Sequence, residues 1–525
     1  MSFINNLAGV LGKIYMVSFY EQKMVVRTMT LQVYNSLSKT LEPFIPVTQD
    51  KVKMYVCGMT VYSDAHIGHA RTYFAFDMIR RYLEYKGFEV FYVQNITDVD
   101  DKIILASEKD NVDPLVYSAK FADRCLSDLD ALGIRRANLY PKASETIEDM
   151  ITMIQEIMNK GYAYETDGDV YFSVERFNEY GKLSGQNIEE LMSGTRIATD
   201  EKKQSPLDFA LWKHTKPGEP FWESPWGNGR PGWHIECSAM SSKFLGLPFD
   251  IHGGGMDLRF PHHENEIAQA EAATGKQFAN YWMHCGLLTI EGEKMSKSIG
   301  NIINIKDLIK EWNPEVIRFF FAQTHYRKPP DYSQIALSNA EKALERLYRF
   351  KQRAEFTINN SEHAENRDPI SSKEITELTT SLTTEFEQAM DDDFNTPEAI
   401  AAIFAFVNKA NKYFEEQPSP DIPATEHMLN TFTRLCQVIT LLQDEVKPLD
   451  KEEQIEEIKQ VFSKYSTDNK EKNSAEEMLT ELLQIREQAR QSKDWGKADA
   501  IRDDIESLGF EVQDTDQGPL FRKRA

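Results

Sequence analysis

Lys51-Val52-Lys53-Met54-Tyr55-Val56-Cys57-Gly58 reads as a strand that stops: polar and apolar residues alternate from Lys51 to Val56, and Cys57-Gly58 breaks the run. Ala70 to Tyr85 then shows helical spacing in Phe74, Met78, Ile79 and Tyr82, Gly87 ends it, and Phe88 to Gln94 is β-branched and aromatic again. A strand, a helix and a strand in this order predict a parallel pair with a right-handed crossover. Ligands of such sheets sit beyond the strands' carboxyl ends, which is where His66-Ile67-Gly68-His69 falls.

Further along, the expected parallel sheet is interrupted. Residues from about 146 to 230 read as an insertion, with a helix over Ile147 to Lys160, a hairpin around Asp167-Gly168 and a Pro/Gly/Trp-rich stretch. Trp212, Trp222, Trp226 and Trp233 cluster there, and the simplest reading is the core of a small subdomain; only Trp233, beside Cys237, is singled out as a site residue. Phe249 to His252 and Tyr281 to Ile290 read as two more strands of the sheet, with Gly292 and Lys294-Met295-Ser296-Lys297-Ser298 in the loop that follows. Beyond about 310 the pattern turns helical, over Ile335 to Phe350, Ser372 to Met390, Pro397 to Tyr413 and Glu426 to Leu442. Asp450 to Asn473 is charged and poorly apolar and reads as a linker. A last unit has helices at Ala475 to Ser492 and Trp495 to Leu508, a short strand at Phe510 to Gln513 and the basic tail Phe521-Arg522-Lys523-Arg524.

At 525 residues the chain exceeds one compact core, and 41% apolar with 27% charged residues is the balance of a soluble globular protein. No run approaches the roughly 18 apolar residues that span a bilayer. Five scattered cysteines, Cys57, Cys125, Cys237, Cys285 and Cys436, argue against a disulfide framework and for a reducing compartment. The net charge of −23 disfavours a nonspecific binder of long nucleic acid, yet leaves room for a locally basic groove. Residues 1 to 28 read as an extension upstream of the folded body, with an organellar address as the lesser reading of Lys13, Lys23 and Arg27.

Two groups of residues carry chemistry. The histidine tetrapeptide opens a helix, where backbone amides and the macrodipole favour anions, and the lysine pentapeptide adds two ammoniums; around a triphosphate they form a device for moving a nucleotidyl group. The second group is Cys57, Cys237 and Pro261-His262-His263-Glu264-Asn265-Glu266, where proline suits a helical first turn and His262 and Glu266 share a face. Two thiolates, an imidazole and a carboxylate are competent to hold zinc. Spacing alone leaves His263 as an alternative to His262, and lone cysteines are more often buried packing residues. Asp98, Asp100 and Asp101 read equally well as helix caps or an acidic cluster.

Together, His66-Ile67-Gly68-His69 and Lys294-Met295-Ser296-Lys297-Ser298 resemble the motif pair of class I aminoacyl-tRNA synthetases. Tyr55-Val56-Cys57-Gly58-Met59-Thr60, Asn95 to Lys102, Gly232-Trp233-His234-Ile235-Glu236-Cys237-Ser238 and Asp250 to Gly255 running into Phe260 to Glu266 narrow the resemblance to the cysteinyl-tRNA synthetase family, from about Met29 to the tail.

The resemblance implies an α/β fold: a Rossmann-type parallel sheet split by an insertion, then a helical bundle and a small C-terminal anticodon-binding unit. The expected divisions are 1–28 extension, 29–145 and 231–305 the two catalytic halves, 146–230 insertion, 306–335 junction, 336–450 bundle, 451–475 linker and 476–525 anticodon unit. It further implies one zinc ion on Cys57, Cys237, His262 and Glu266, which selects the substrate thiol and rejects serine. His66, His69, Lys294 and Lys297 are the implied catalytic residues, with Gly68 and Ser296 also on ATP and its Mg²⁺. Gly58, Thr97, Trp233 and His252 are implied in the amino-acid pocket, and Asp514, Arg522 and Arg524 in anticodon contacts. ATP, L-cysteine and the tRNA for cysteine are the implied partners of a cytoplasmic monomer without membrane attachment. Three rivals are a ligase joining cysteine to an amino-sugar, a zinc hydrolase built on His262, His263 and Glu264, and a noncatalytic RNA-binding paralogue. The terminal unit, the missing His-Glu-x-x-His helix and the intact motif pair respectively disfavour them.

Overall fold

The computed structural model describes residues 31–186, 202–295, 300–359, 369–416, 421–443, 452–466, 475–508, 510–515 and 518–523. It opens with an antiparallel ribbon, β1 (Gln32–Asn35) and β2 (Thr40–Pro43). Next come β3 (Lys51–Thr60), α1 (Ile67–Tyr85) and β4 (Glu89–Thr97), with β3 and β4 parallel. Both strands are buried on two faces along most of their length, which is why their interiors carry near-continuous apolar residues. Helices α2 (Asp101–Asp110) and α3 (Pro114–Ala131) follow. Of the acidic trio, Asp100 caps α2 by accepting from the Lys102 amide at 2.9 Å, Asp98 accepts from the Ser144 amide at 2.9 Å, and Asp101 pairs with Lys213 at 2.7 Å.

The insertion consists of α4 (Ile147–Asn159) and an antiparallel sheet, β5 (Ala163–Thr166), β6 (Asp169–Phe172), β7 (Phe209–His214) and β8 (Gly229–Pro231). Asp167 and Gly168, at φ 51° and 82°, make the two-residue turn that a tight hairpin requires. Trp212 is wholly buried there, with Trp226 packed against it.

The chain then returns to the parallel sheet through α5 (Trp233–Leu245), β9 (Phe249–Gly255), α6 (Glu264–Thr274) and β10 (Ala279–Cys285). The strand order is β10-β9-β3-β4, all parallel. One connection leaves β3 for β4 and the other leaves β9 for β10, so the order reverses between β3 and β9, and the crevice at their carboxyl ends is the natural ligand site.

One segment differs from expectation here. Tyr281 to Ile290 is not one strand: β10 ends at Cys285, and β11 (Thr289–Ile290) enters another sheet, antiparallel to β12 (Glu293–Lys294) and parallel to β13 (Asp331–Tyr332). The break falls at Gly286, where any Cβ would lie 2.5 Å from the Lys328 carbonyl carbon. Pro261 opens a helical run as expected: Phe260 just before it is extended at φ −142°, and His263 and Glu264 are helical at φ −68° and −61°, so the run continues into α6. His262 and His263 therefore lie in the turn that leads into α6, with His262 four residues ahead of Glu266.

Between β12 and β13 lie α7 (Ile305–Glu311) and α8 (Pro314–Ala322); beyond them α9 (Gln334–Asn359), α10 (Pro369–Asp391), α11 (Thr396–Glu416) and α12 (Ile422–Val438) pack as a bundle. Phe350 and Phe432 meet edge to face at 4.8 Å in its core. Asp391 anchors α10 to α1, accepting from Tyr82 Oη at 2.7 Å and pairing with Lys86 at 3.0 Å.

A second compact unit holds α13 (Glu452–Tyr465), α14 (Ala475–Gln491), α15 (Trp495–Ser507) and the hairpin β14 (Phe510–Thr515) and β15 (Gly518–Lys523). Residues 451–475, expected as a linker, thus contain a helix. Its Ile458 and Phe462 are buried with Met478, Leu482 and Ile501, and Val461 and Tyr465 pack at the edge of that core. The apolar stripe is at helical spacing, but the surrounding charges hide it in any compositional reading. The basic tail is half of a hairpin, with Phe521 opposite Val512. Asp514 and Arg522 lie on its two strands, and Arg524 is outside the described residues. Among the described residues no helix is long and apolar enough to cross a membrane.

Candidate active site

Pairing of β3 with β4 shifts register between Val56 and Met59, so the chain bulges at Cys57-Gly58. A Cβ on Gly58 would sit 1.6 Å from the Asn95 carbonyl oxygen, and the Gly58 amide donates to Asn95 Oδ1 at 2.7 Å. Only glycine allows this approach. Gly58→Ala is therefore expected to destabilise the catalytic unit by about 3 kcal/mol or more, read by chemical denaturation.

The bulge turns Cys57 toward three distant segments. Its Sγ lies 3.7 Å from Cys237 Sγ near the start of α5 and 3.3 Å from Glu266 Oε1 in the first turn of α6. His262 Nε2 is 3.1 Å from the same Glu266 oxygen. One ligand atom from each of Cys57, Cys237, His262 and Glu266 falls within 4.8 Å of the others, and all four residues are buried. A second set, Cys57, His252, His263 and Glu266, meets the same limit and shares two members. The supporting contacts differ. His262 Nδ1 is 2.8 Å from His234 Nδ1, which directs His262 Nε2 at Glu266, and His263 Nδ1 is 2.9 Å from Nε2 of His284, whose Nδ1 contacts Ser36 Oγ.

Burial pushes the Cys57 and Cys237 thiols up and the His262 and His263 imidazoles well down, so each is held neutral. Glu266 is fully buried, and among the described residues no lysine or arginine pairs with it; its carboxylate meets the imidazoles of His252, His262 and His263. An acidic, thiol-rich and closely convergent cluster of this kind is compatible with zinc.

The phosphate-binding motif lies beside it. His66 caps α1: its Nδ1 accepts from the His69 amide at 3.3 Å, and His69 Nδ1 accepts from the His66 amide at 3.3 Å. Because both Nδ1 atoms accept, both ring protons are on Nε2. The rings stack with centroids 3.6 Å apart. A Cβ on Gly68 would lie 2.7 Å from Met295 Cε, so glycine lets Met295 settle onto the tetrapeptide. Cys57, Gly58, His66, His69, Trp233 and Lys294 line one cavity of about 390 Å³. Ser296 and Lys297 are outside the described residues.

Two expected pocket residues are not on that wall. Thr97 donates to Glu236 Oε2 at 2.7 Å, and His252 is wholly buried with Nε2 3.1 Å from Glu266 Oε2; neither lines the cavity. Trp233 stacks on His262, with ring centroids 4.3 Å apart, and stays 38% exposed, so it joins the metal-competent cluster to the open cleft. Missed altogether were His234 and Lys102, the latter lining the cavity with its ammonium over the Tyr62 ring. Both stand in quoted segments, but nothing in their spacing distinguishes them from neighbours.

Comparison with known proteins accords with this geometry. Family models match residues 43–342 as a class I (C) tRNA synthetase catalytic domain, 385–443 as a DALR domain, and 475–522 as a cysteinyl-tRNA ligase anticodon binding domain. A cysteine-tRNA ligase of Thermococcus onnurineus is 45% identical over 496 residues, covering 94% of this chain and 99% of that one. One of Thermodesulfovibrio yellowstonii is 46% identical over 500 residues, with 94% and 99% covered. Among solved structures, Mycobacterium tuberculosis methionyl-tRNA synthetase in complex with methionyl-adenylate superposes with TM-score 0.56 at 15% identity, over 74% of this chain and 89% of that one, which speaks to fold alone. With a catalytic-domain match over 43–342 and such relatives along nearly its whole length, the chain belongs to the cysteine-tRNA ligase family of class I aminoacyl-tRNA synthetases.

Proposed function

We propose that the chain activates L-cysteine with ATP and transfers it to the 3′ end of the tRNA for cysteine. The observation that carries this reading is the convergence of Cys57, Cys237, His262 and Glu266 within 4.8 Å, beside a cleft that His66, His69 and Lys294 also line. A cysteine carboxylate oxygen attacks the α-phosphorus of ATP, the bond to pyrophosphate breaks, and cysteinyl-adenylate forms. The tRNA's terminal hydroxyl then attacks the cysteinyl carbonyl and AMP departs.

His66 and His69 donate from Nε2 to phosphate oxygens at the amino end of α1, while Lys294 and Lys297 hold the pyrophosphate moiety and offset the charge that grows on it. Gly68 gives the phosphates and Met295 close access to the helix, and Ser296 contributes a donor; Mg²⁺ accompanies ATP. Cys57, Cys237, His262 and Glu266 would hold one zinc ion, which supplies a thiophilic Lewis acid that prefers the substrate's sulfur to the hydroxyl of serine. Two sulfur donors favour this set over the one containing His252 and His263. In that arrangement His252 orients Glu266, Thr97 fixes Glu236, and Gly58 and Trp233 bound the amino-acid pocket.

In the terminal unit Asp514, Arg522 and Arg524 contact the anticodon, a role supported by the anticodon-domain match, which also counts against the amino-sugar ligase. A single chain carries the whole cluster and cleft, consistent with a working monomer, and five buried free thiols suit the cytoplasm.

Pyrophosphate exchange tests the reading: exchange supported by cysteine, at least about a hundredfold weaker with serine, and lost on chelation is expected. Serine-supported exchange indifferent to chelation would refute thiol selection. The terminal unit has its own test. A chain ending at 443 removes α13 with the core it serves, and is expected to retain exchange while charging tRNA at least about tenfold more slowly; equal charging would remove the anticodon role.

A further inference from the structure

Lys294 sits on β12, the edge of a three-stranded sheet, and the sheet's register lines up Lys294, Thr289 and Asp331 in one row. The β11–β12 hairpin turns through Glu291 and Gly292, at φ 51° and 81°. Asp331 grips it twice with one oxygen: Oδ1 accepts from Thr289 Oγ1 at 2.7 Å and from the Gly292 amide at 2.8 Å. The Glu291 amide also donates to the Tyr332 carbonyl at 3.2 Å. These two donors hold the Asp331 carboxyl below the usual carboxylate range, in keeping with a carboxylate that is engaged although it stands in solvent.

On its far side the lysine segment is tied to the histidine motif. Asn301 Nδ2 donates to the Lys294 carbonyl at 3.3 Å, the Ile67 amide donates to the Ile303 carbonyl at 2.9 Å, and the Ile305 amide to the Ala65 carbonyl at 3.0 Å. That attachment belongs to the cleft itself. The near-side attachment is different: Asp331 lies outside the cleft, just ahead of α9, the first helix of the bundle. Without the carboxylate, the hairpin keeps its backbone bonds to the Pro330 and Tyr332 carbonyls, but the Gly292 amide at the turn loses its acceptor, and so short a ribbon is marginal in water.

We propose that Asp331 is a positioning residue for cysteine activation, its carboxylate fixing the β11–β12 hairpin so that Lys294 stays over the nucleotide cleft. The inference rests on the role given to Lys294 above. It gives the segment just ahead of the helical bundle a hold, through the hairpin, on the phosphate-binding lysine.

The test is pyrophosphate exchange by four variants of the full-length, metal-loaded protein. Asp331→Ala is expected to lower kcat about tenfold with the KM for cysteine unchanged. Asp331→Asn, whose carbonyl oxygen accepts the same two bonds, is expected within about twofold of the unsubstituted protein. Because Asp331 acts through Lys294, the double variant Lys294→Ala/Asp331→Ala should be no slower than Lys294→Ala alone. Metal content and thermal midpoint, to within about 2 °C, should not move in Asp331→Ala. An undiminished kcat in Asp331→Ala, a failure of asparagine to rescue, or full additivity with Lys294→Ala would each overturn the inference. Absence of cysteine-dependent exchange in the unsubstituted protein would instead defeat the functional reading on which it stands.

Discussion

Cys237→Ser is expected to strip zinc from the protein and to lower kcat/KM for cysteine activation by about a thousandfold or more, a loss of about 4 kcal/mol in transition-state stabilisation. Cys237 Sγ lies 3.7 Å from Cys57 Sγ, and the pair supplies both soft donors of the proposed set. A serine hydroxyl occupies the same place but remains protonated near neutral pH and is a poor ligand, so the buried Glu266 carboxylate is left without its counter-charge. His263→Ala serves as the contrast. His263 belongs to the alternative set, so zinc retained in that variant and lost in Cys237→Ser separates the two, with metal analysis as the readout. Serine in place of Cys237 that leaves both metal and activity intact would remove this cysteine from the site.

His69→Ala is the second large effect, an expected fall in kcat of about 10² to 10³-fold with little change in the KM for cysteine. The side chain has two separable tasks. Nδ1 accepts the His66 amide at the start of α1, a capping bond whose loss costs about 1 kcal/mol of stability. Nε2 carries the proton aimed at phosphate. His69→Asn keeps an acceptor near the first position and offers no equivalent of Nε2, so it should recover stability and not rate. Equal recovery of both would mean that His69 only caps the helix.

The parallel sheet was legible from the sequence because its signals are local. Lys51 to Gln94 carries a change of period from strand to helix and back, and Gly87, at φ 93°, marks the turn between them. The cluster was legible only as a list of competent residue types. Cys57 and Cys237 stand 180 residues apart, and a linear spacing of that size contains no distance. His262 and His263 remained alternatives because spacings of four and of three residues from Glu266 both suit one helical face; the two imidazoles come within 3.1 and 4.0 Å of Glu266 Oε1.

Other features were hidden for different physical reasons. The helix Glu452–Tyr465 looks disordered by composition, because Ile458 and Phe462 are diluted by charged residues in the sequence around them. Gly286 ends β10 through a close approach to Lys328, a tertiary event without a local signature. Thr97 and His252 carry polar side chains of the kind that line pockets, yet here they brace Glu236 and Glu266 from behind. Asp331 belongs to no motif, and its role emerges only once β11 and β13 are seen side by side.

X-ray absorption at the zinc edge of the purified, zinc-loaded protein probes the ligand set without reference to activity. Two sulfur scatterers at about 2.3 Å and two nitrogen or oxygen scatterers at about 2.0–2.1 Å are expected from Cys57, Cys237, His262 and Glu266. A first shell with one sulfur and three lighter atoms would instead match Cys57, His252, His263 and Glu266, and would contradict the assignment of the site.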